Sequence, residues 1–257
     1  MTDGMTVPWF SGRSSKDGLC TLYCFPHSGS SAGEYIRLLQ PLRTRLAIRV
    51  LQLPGRGIRL DEPELLDMKS LAAAVADGHD FAAPYAFLGH SLGALTAYEV
   101  TSQLLDRGAP APVSLIVSGS PAPHLPYLRG AARHLPDCDL AALLGEQYSP
   151  LSRELAGERE VLHLSLQAFR ADLTILETRA LSSVPTPPWP VSITALRGED
   201  DYVPEAHACQ WSAHTVQFAH RQVPGGHFPF RDDAASYCAA VDAIVAEAMH
   251  DYLEGQG

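Results

Sequence analysis

The stretch "YAFLGHSLGALTAYEV", residues 85–100, decides how this chain is read. Tyr85 to Leu88 form a short apolar run of the kind that makes a buried strand. From Ala94 to Leu105 the apolar residues recur at helical spacing. Between the two lies Gly89-His90-Ser91-Leu92-Gly93, a G-x-S-x-G pentapeptide. Strand, pentapeptide and helix in that order predict a nucleophile elbow, a tight strained turn that lifts the Ser91 hydroxyl clear of a sheet. Gly89 and Gly93 leave room where the strand and helix backbones nearly touch.

Working outward, strand-like and helix-like segments alternate. "LCTLYCFP" (19–26), "LAIRVLQLP" (46–54), "VSLIVSGS" (113–120), "VSITALRG" (191–198) and "TVQFAHRQV" (215–223) read as strands. Residues 34–46, despite Pro41, together with 68–81 and 233–253, read as helices. This pattern predicts an α/β fold with a mostly parallel central sheet and helices on both faces. Residues 1–18 read as a polar lead-in with little core content, anchored at most by Trp9 and Phe10. Residues 19–120 and 191–257 form the core. Between them, 121–190 breaks the alternation with helical patterns at 138–148 and 158–181. The second pattern aligns Leu162, Leu166, Phe169, Leu173 and Leu176 in one apolar stripe. Such an insertion is best read as a helical lid over the carboxyl edge of the sheet.

The 257 residues suit one domain with an insertion better than two domains. A net charge of −10 argues against general nucleic-acid binding, which needs a basic surface to displace counterions. The five cysteines are odd in number and lack C-x-x-C spacing, so free thiols are expected. The first residues have no basic-then-apolar leader pattern, and no apolar run is long enough to span a bilayer. The cytoplasm is the expected compartment, and a monomer is the default.

A serine hydroxyl needs a base to take its proton, and that base must come from a later loop at the same sheet edge. His227, in "VPGGHFPF", follows the last strand, and Gly225 and Gly226 permit its loop to turn back over the edge. His90 adjoins Ser91 but should point away from it. His27 is a candidate to line the site from the loop after the first strand. His207, His214 and His220 are expected at the surface and do not make a convincing metal set. The third member, which holds the imidazole tautomer, comes from "LRGEDDYVPEA". Asp200 and Asp201 both reach, and the G-x-x-D spacing from Gly198 favours Asp201. An oxyanion needs two preorganised donors. The amides of Leu92, just after the serine, and Ser28, in "CFPHSGSSA", are the candidates. "LPGRGIRL" resembles the start of a dinucleotide fingerprint, but neither a third glycine nor a helical pattern follows.

These residues specify a serine hydrolase without a substrate. Four stretches go further: "CFPHSGSSAGEY", "LQLPGRGIRLDEP", "FLGHSLGA" and "GGHFPF" together resemble the type II thioesterases of polyketide synthase and nonribosomal peptide synthetase pathways. "LPGRGxR" is the most discriminating of them, and the likeness extends over about residues 19–250. Where that family often has Met after the nucleophile and Ala-Gly-Gly in the first loop, this chain has Leu92 and Ser28-Gly29-Ser30.

The resemblance implies an α/β-hydrolase fold and hydrolysis of acyl groups from the phosphopantetheine arm of acyl or peptidyl carrier proteins. No metal or organic cofactor is implied, since phosphopantetheine belongs to the substrate. Because carrier proteins are commonly acidic, Arg56 and Arg59 are candidates to meet them, or else make structural hydrogen bonds. A small-molecule esterase or peptidase of the same fold, and a non-catalytic binding module, are the competing readings.

Overall fold

The computed structural model of the chain describes residues 7–12, 20–44, 46–126, 132–145 and 159–255. Seven strands form one sheet: β1 (Phe10–Gly12), β2 (Thr21–Phe25), β3 (Ala47–Leu51), β4 (Tyr85–His90), β5 (Ser114–Ser118), β6 (Ser192–Gly198) and β7 (Phe218–Val223). Their order is β1-β3-β2-β4-β5-β6-β7, with β1 antiparallel to β3 and every other pair parallel.

Both faces of this sheet are buried, and alternate residues serve different cores. Tyr23, Phe25, Tyr85, Phe87, Leu115 and Val117 point into one cluster with Leu71 and Val75 of helix α2 (Met68–Gly78) and Leu95 of α3 (Leu92–Asp106). Leu22, Cys24, Ala86, Leu88 and Ile116 point into the other, against Tyr35 of α1 (Ala32–Leu38) and the final helix, which brings Tyr237, Val241 and Ile244. Two covered faces explain why the strands read as near-continuous apolar runs rather than alternating ones. Asp67 and Ser31 cap α2 and α1 by accepting the amides of Ser70 and Glu34.

Between β5 and β6 the chain adds α4 (Asp137–Leu143) and α5 (Arg159–Thr178). The apolar stripe foreseen for this segment is present. Leu166, Phe169 and Leu173 pack with Leu140 and Leu144 as a separate small core, while Leu176 joins the sheet's. Part of the 138–148 pattern, and residue 158, lie outside the described residues. After β6 come α6 (Glu205–Cys209), α7 (Pro229–Asp232) and the final helix α8 (Ala234–Glu254).

Phe10 ties the lead-in to the sheet. It is 2 % exposed and pairs with Leu51 as part of β1, because its ring fits edge-on against Tyr23, Phe25 and Phe81. Residues 1–6 and 13–18 of that lead-in lie outside the described residues. One expectation needs correction: His214 is not at the surface. It is fully buried, with Nδ1 2.8 Å from the Tyr98 hydroxyl and Nε2 2.8 Å from His124 Nδ1.

Burial, and then the neighbouring His124, push the His214 pKa down to about 4. Its folded-state value therefore lies below that of an unfolded histidine, near 6.5. The stability it contributes is complete above pH 6.5 and declines as pH falls toward 4. Denaturation midpoints measured from pH 7 to pH 5 should fall more steeply for the native chain than for His214→Gln. Parallel slopes would reject this linkage.

Candidate active site

The order of the sheet locates the site. From β2 the chain steps outward to β3, then returns across β2 to β4, so the connections leaving β2 and β4 diverge. Ligand crevices open at such switch points, beyond the strands' carboxyl ends. The loop carrying Ser28 leaves β2 there, and the turn carrying Ser91 leaves β4 beside it.

Ser91 has φ 55° and ψ −116° and is the one non-glycine residue with positive φ among those described. Such a conformation costs on the order of 1–3 kcal/mol and persists only where its surroundings over-determine it. Here all six residues of β4 are buried, and the Ser91 amide donates to Ser118 O at 2.8 Å. A Cβ added to Gly93 would lie 1.9 Å from Phe25 O, and one added to Gly89 2.3 Å from Gly93 O. The spacing of G-x-S-x-G is thus a packing requirement. The helix must touch the strands for the turn to be this tight.

His227 and Asp201 meet. Nδ1 of His227 is 2.9 Å from Oδ1 of Asp201, and both side chains are buried. Asp200 is exposed. The acid loop and the histidine loop lie backbone to backbone: Asp200 N–H donates to Gly225 O at 3.0 Å, and a Cβ on Gly198 would be 2.0 Å from Gly226 O. Arg197 holds the acid loop from below, donating to the carbonyls of Glu199, Asp201 and Val203 at 2.7–2.9 Å. The His227 ring lies beside Gly119, where an added Cβ would be 3.0 Å from its Cε1. Gly119 directly follows the Ser118 carbonyl that receives the Ser91 amide.

Other histidines crowd behind this one. His90 is fully buried, with Nδ1 3.1 Å from Ser118 Oγ and its ring centred 5.0 Å from that of His227. Burial first, and then the charges of His227, His27 and Arg231, hold its pKa well below the ordinary value, so it is a neutral spacer. His27, the candidate lining residue, is held from several sides. It is fully buried, with Nδ1 3.0 Å from the Tyr35 hydroxyl and Nε2 3.1 Å from the Arg231 guanidinium, because it faces α1 and the rings of Phe228 and Phe230. Ser28 is fully buried in the loop after β2, and Leu92 opens the first turn of α3, where the leading amides lack the i−4 acceptor of a helix interior. Tyr202 was not anticipated from sequence. Its hydroxyl lies 3.0 Å from His227 Nε2, and its ring is centred 4.2 Å from the imidazole.

Arg56 and Arg59 are structural. Arg56 makes a bidentate pair with Asp172 of α5, at 2.6 and 2.7 Å. Arg59, 6 % exposed, pairs with Glu62 and lies over the Trp9 ring at 3.6 Å. Neither is a surface cation awaiting an acidic partner. Among the described residues, Glu205, Cys209 and His220 bring possible metal ligands within 4.8 Å of one another, on α6 and β7; Glu205 and His220 already meet as a pair at 3.5 Å. Of the expected surface histidines, His207 and His220 are half-buried. The glycine turn after β3 leads into a single short turn, Gly57–Arg59, rather than into the long helix of a dinucleotide fingerprint.

Residues 20–245 match the family model for the thioesterase domain. The chain is 30 % identical over 253 residues to the linear gramicidin dehydrogenase LgrE of Brevibacillus parabrevis, covering 95 % of this chain and 93 % of that one. It is 32 % identical over 258 residues to the thioesterase PikA5 of Streptomyces venezuelae, covering 91 % and 88 %. Among solved structures it is similar to the type II thioesterase BorB from the borrelidin biosynthetic cluster, with a TM-score of 0.78 and 30 % identity over 93 % of this chain and 97 % of that one. With the elbow, the sheet order and these likenesses together, the chain belongs to the thioesterase family, as an enzyme of the type II kind built on the α/β-hydrolase fold.

Proposed function

We propose that this enzyme removes acyl groups from the phosphopantetheine arm of carrier proteins in a modular synthase, with Ser91, His227 and Asp201 as its catalytic triad. The observation that carries the reading is the buried His227–Asp201 pair, 2.9 Å apart, at the same sheet edge as a serine in a strained elbow. Relatives and neighbours named as thioesterases of antibiotic-type pathways support the substrate class. No helix among the described residues is long and apolar enough to cross a membrane, in keeping with action beside a cytoplasmic synthase.

His227 takes the Ser91 proton on Nε2 as Oγ attacks the thioester carbonyl. Asp201 fixes the tautomer by accepting Nδ1–H and stabilises the imidazolium that forms. The amides of Ser28 and Leu92 receive the oxyanion. Collapse breaks the C–S bond, His227 protonates the departing thiolate, and the acyl group rests on Ser91. His227 then draws a proton from water, which attacks the acyl-enzyme; as the Oγ–acyl bond breaks, His227 returns that proton to Ser91 and the acid is released. The insertion at 121–190 serves as the lid over the acyl chain.

Ser91→Ala should abolish labelling by a fluorophosphonate and lower turnover of acyl-carrier protein by about a thousandfold or more. A preference for simple oxygen esters over the carrier-bound thioester would favour a general esterase instead. Asp201→Asn should cost about ten-thousandfold in kcat, whereas Asp200→Asn stays within about twofold of the native rate; equal losses would reject the assignment. Tyr202 occupies the nitrogen that Ser91 needs. Tyr202→Phe should therefore speed fluorophosphonate labelling by about two- to tenfold, the worth of one hydrogen bond. Slower labelling would mean that the hydroxyl assists the base.

A further inference from the structure

The Asp172 carboxylate, 1 % exposed, lies on α5 and yet binds two segments of the core. Arg56 donates to Oδ1 at 2.6 Å and to Oδ2 at 2.7 Å, and the Gly29 amide donates to Oδ2 at 2.8 Å. Arg56 also reaches Ser30 O at 3.3 Å and, back on α5, Ala168 O at 3.2 Å. One buried ion pair therefore ties the insertion helix to the turn after β3 and to the loop after β2.

The loop it grips carries Ser28. That loop closes on itself through Ser30 N–H to His27 O at 3.2 Å, with Gly29 at φ 77°. The insertion also presses on it directly: a Cβ on Gly29 would lie 2.7 Å from Leu144 Cδ1 and 3.0 Å from Phe169 Cδ2. The other side of the crevice is joined to the same small core, which Phe228, next to His227, packs against.

We infer that Asp172 is a positioning residue. By holding the Gly29 amide, and through Arg56 the Ser30 carbonyl, it sets the peptide planes on the far side of Ser28 and so aims the Ser28 amide at the forming oxyanion. Seating of the lid helix and completion of the oxyanion hole then become one event, because the same carboxylate makes both contacts. A lid that lifts must either break a buried ion pair or carry the loop with it. This rests on the assignment of Ser28 as an oxyanion donor.

A merely structural ion pair would lower stability without a selective effect on the transition state. The full-length enzyme is therefore compared with Asp172→Asn, which keeps the shape and loses the charge, and with Asp172→Ala. Val241→Ala, a truncation in the core on the opposite sheet face, serves as the stability control. Thermal midpoints are recorded alongside kcat, KM for an acyl-carrier protein, and inhibition by a trifluoromethyl ketone, whose adduct bears the oxyanion.

Both Asp172 variants should lose about tenfold or more in kcat, with KM within about twofold, and should lose ketone affinity in proportion. Val241→Ala should keep its kcat at a comparable drop in midpoint. Loss confined to KM, undiminished ketone affinity, or a kcat loss no greater than that of Val241→Ala would overturn the inference. If Asp172→Ala does not fold, Asp172→Asn decides by the same criteria. Activity surviving in Ser91→Ala would instead overturn the proposed function, on which the assignment of Ser28 rests, so the two failures are distinct.

Discussion

Everything at the carboxyl edge of the sheet depends on how closely α3 approaches β2. Gly93 brings the helix backbone against the carbonyls of Phe25 and Pro26 at distances that no side chain tolerates. That contact forces the turn between β4 and α3 to be tight, and the tightness leaves Ser91 in its left-handed conformation. It also puts the first turn of α3 beside the loop that leaves β2. Nucleophile and both candidate oxyanion donors are thus fixed by one backbone contact.

The histidine and the acid arrive by the same kind of device. Gly198 admits the Gly226 carbonyl, and Gly225 accepts a hydrogen bond from the acid loop. Loops separated by a helix and a strand in sequence are fused into one layer, with Arg197 bonded to three carbonyls beneath it. Asp201 faces inward as a result, while Asp200 remains in solvent.

Much of this was legible in the residues. The elbow, the alternation of strands with helices and the apolar stripe of α5 are local patterns, and local patterns survive folding. Ser91, His227 and Asp201 stand out as candidates because each sits at a loop that glycines mark. What could not be read were contacts between distant segments. His27 and His214 look alike as loop histidines, but their burial depends on Tyr35, Arg231, Tyr98 and His124. Arg56 reads as a surface cation until Asp172, 116 positions later, meets it. Tyr202 gives no signal at all, since an aromatic beside an aspartate has no motif. Phe10 reads only as an anchor and not as part of a strand, because that strand is three residues long.

That brevity matters beyond packing. A sheet with free rims invites foreign strands to extend it. On one rim, β1 offers three residues and ends at Gly12, whose backbone crowds the Ile48 carbonyl too closely for any side chain. On the other, β7 carries His220 and Arg221, and Arg221 is tethered to Glu247 of the last helix. Among the described residues neither border presents a long, flat, apolar ladder, and both rims are thereby guarded against edge-on aggregation.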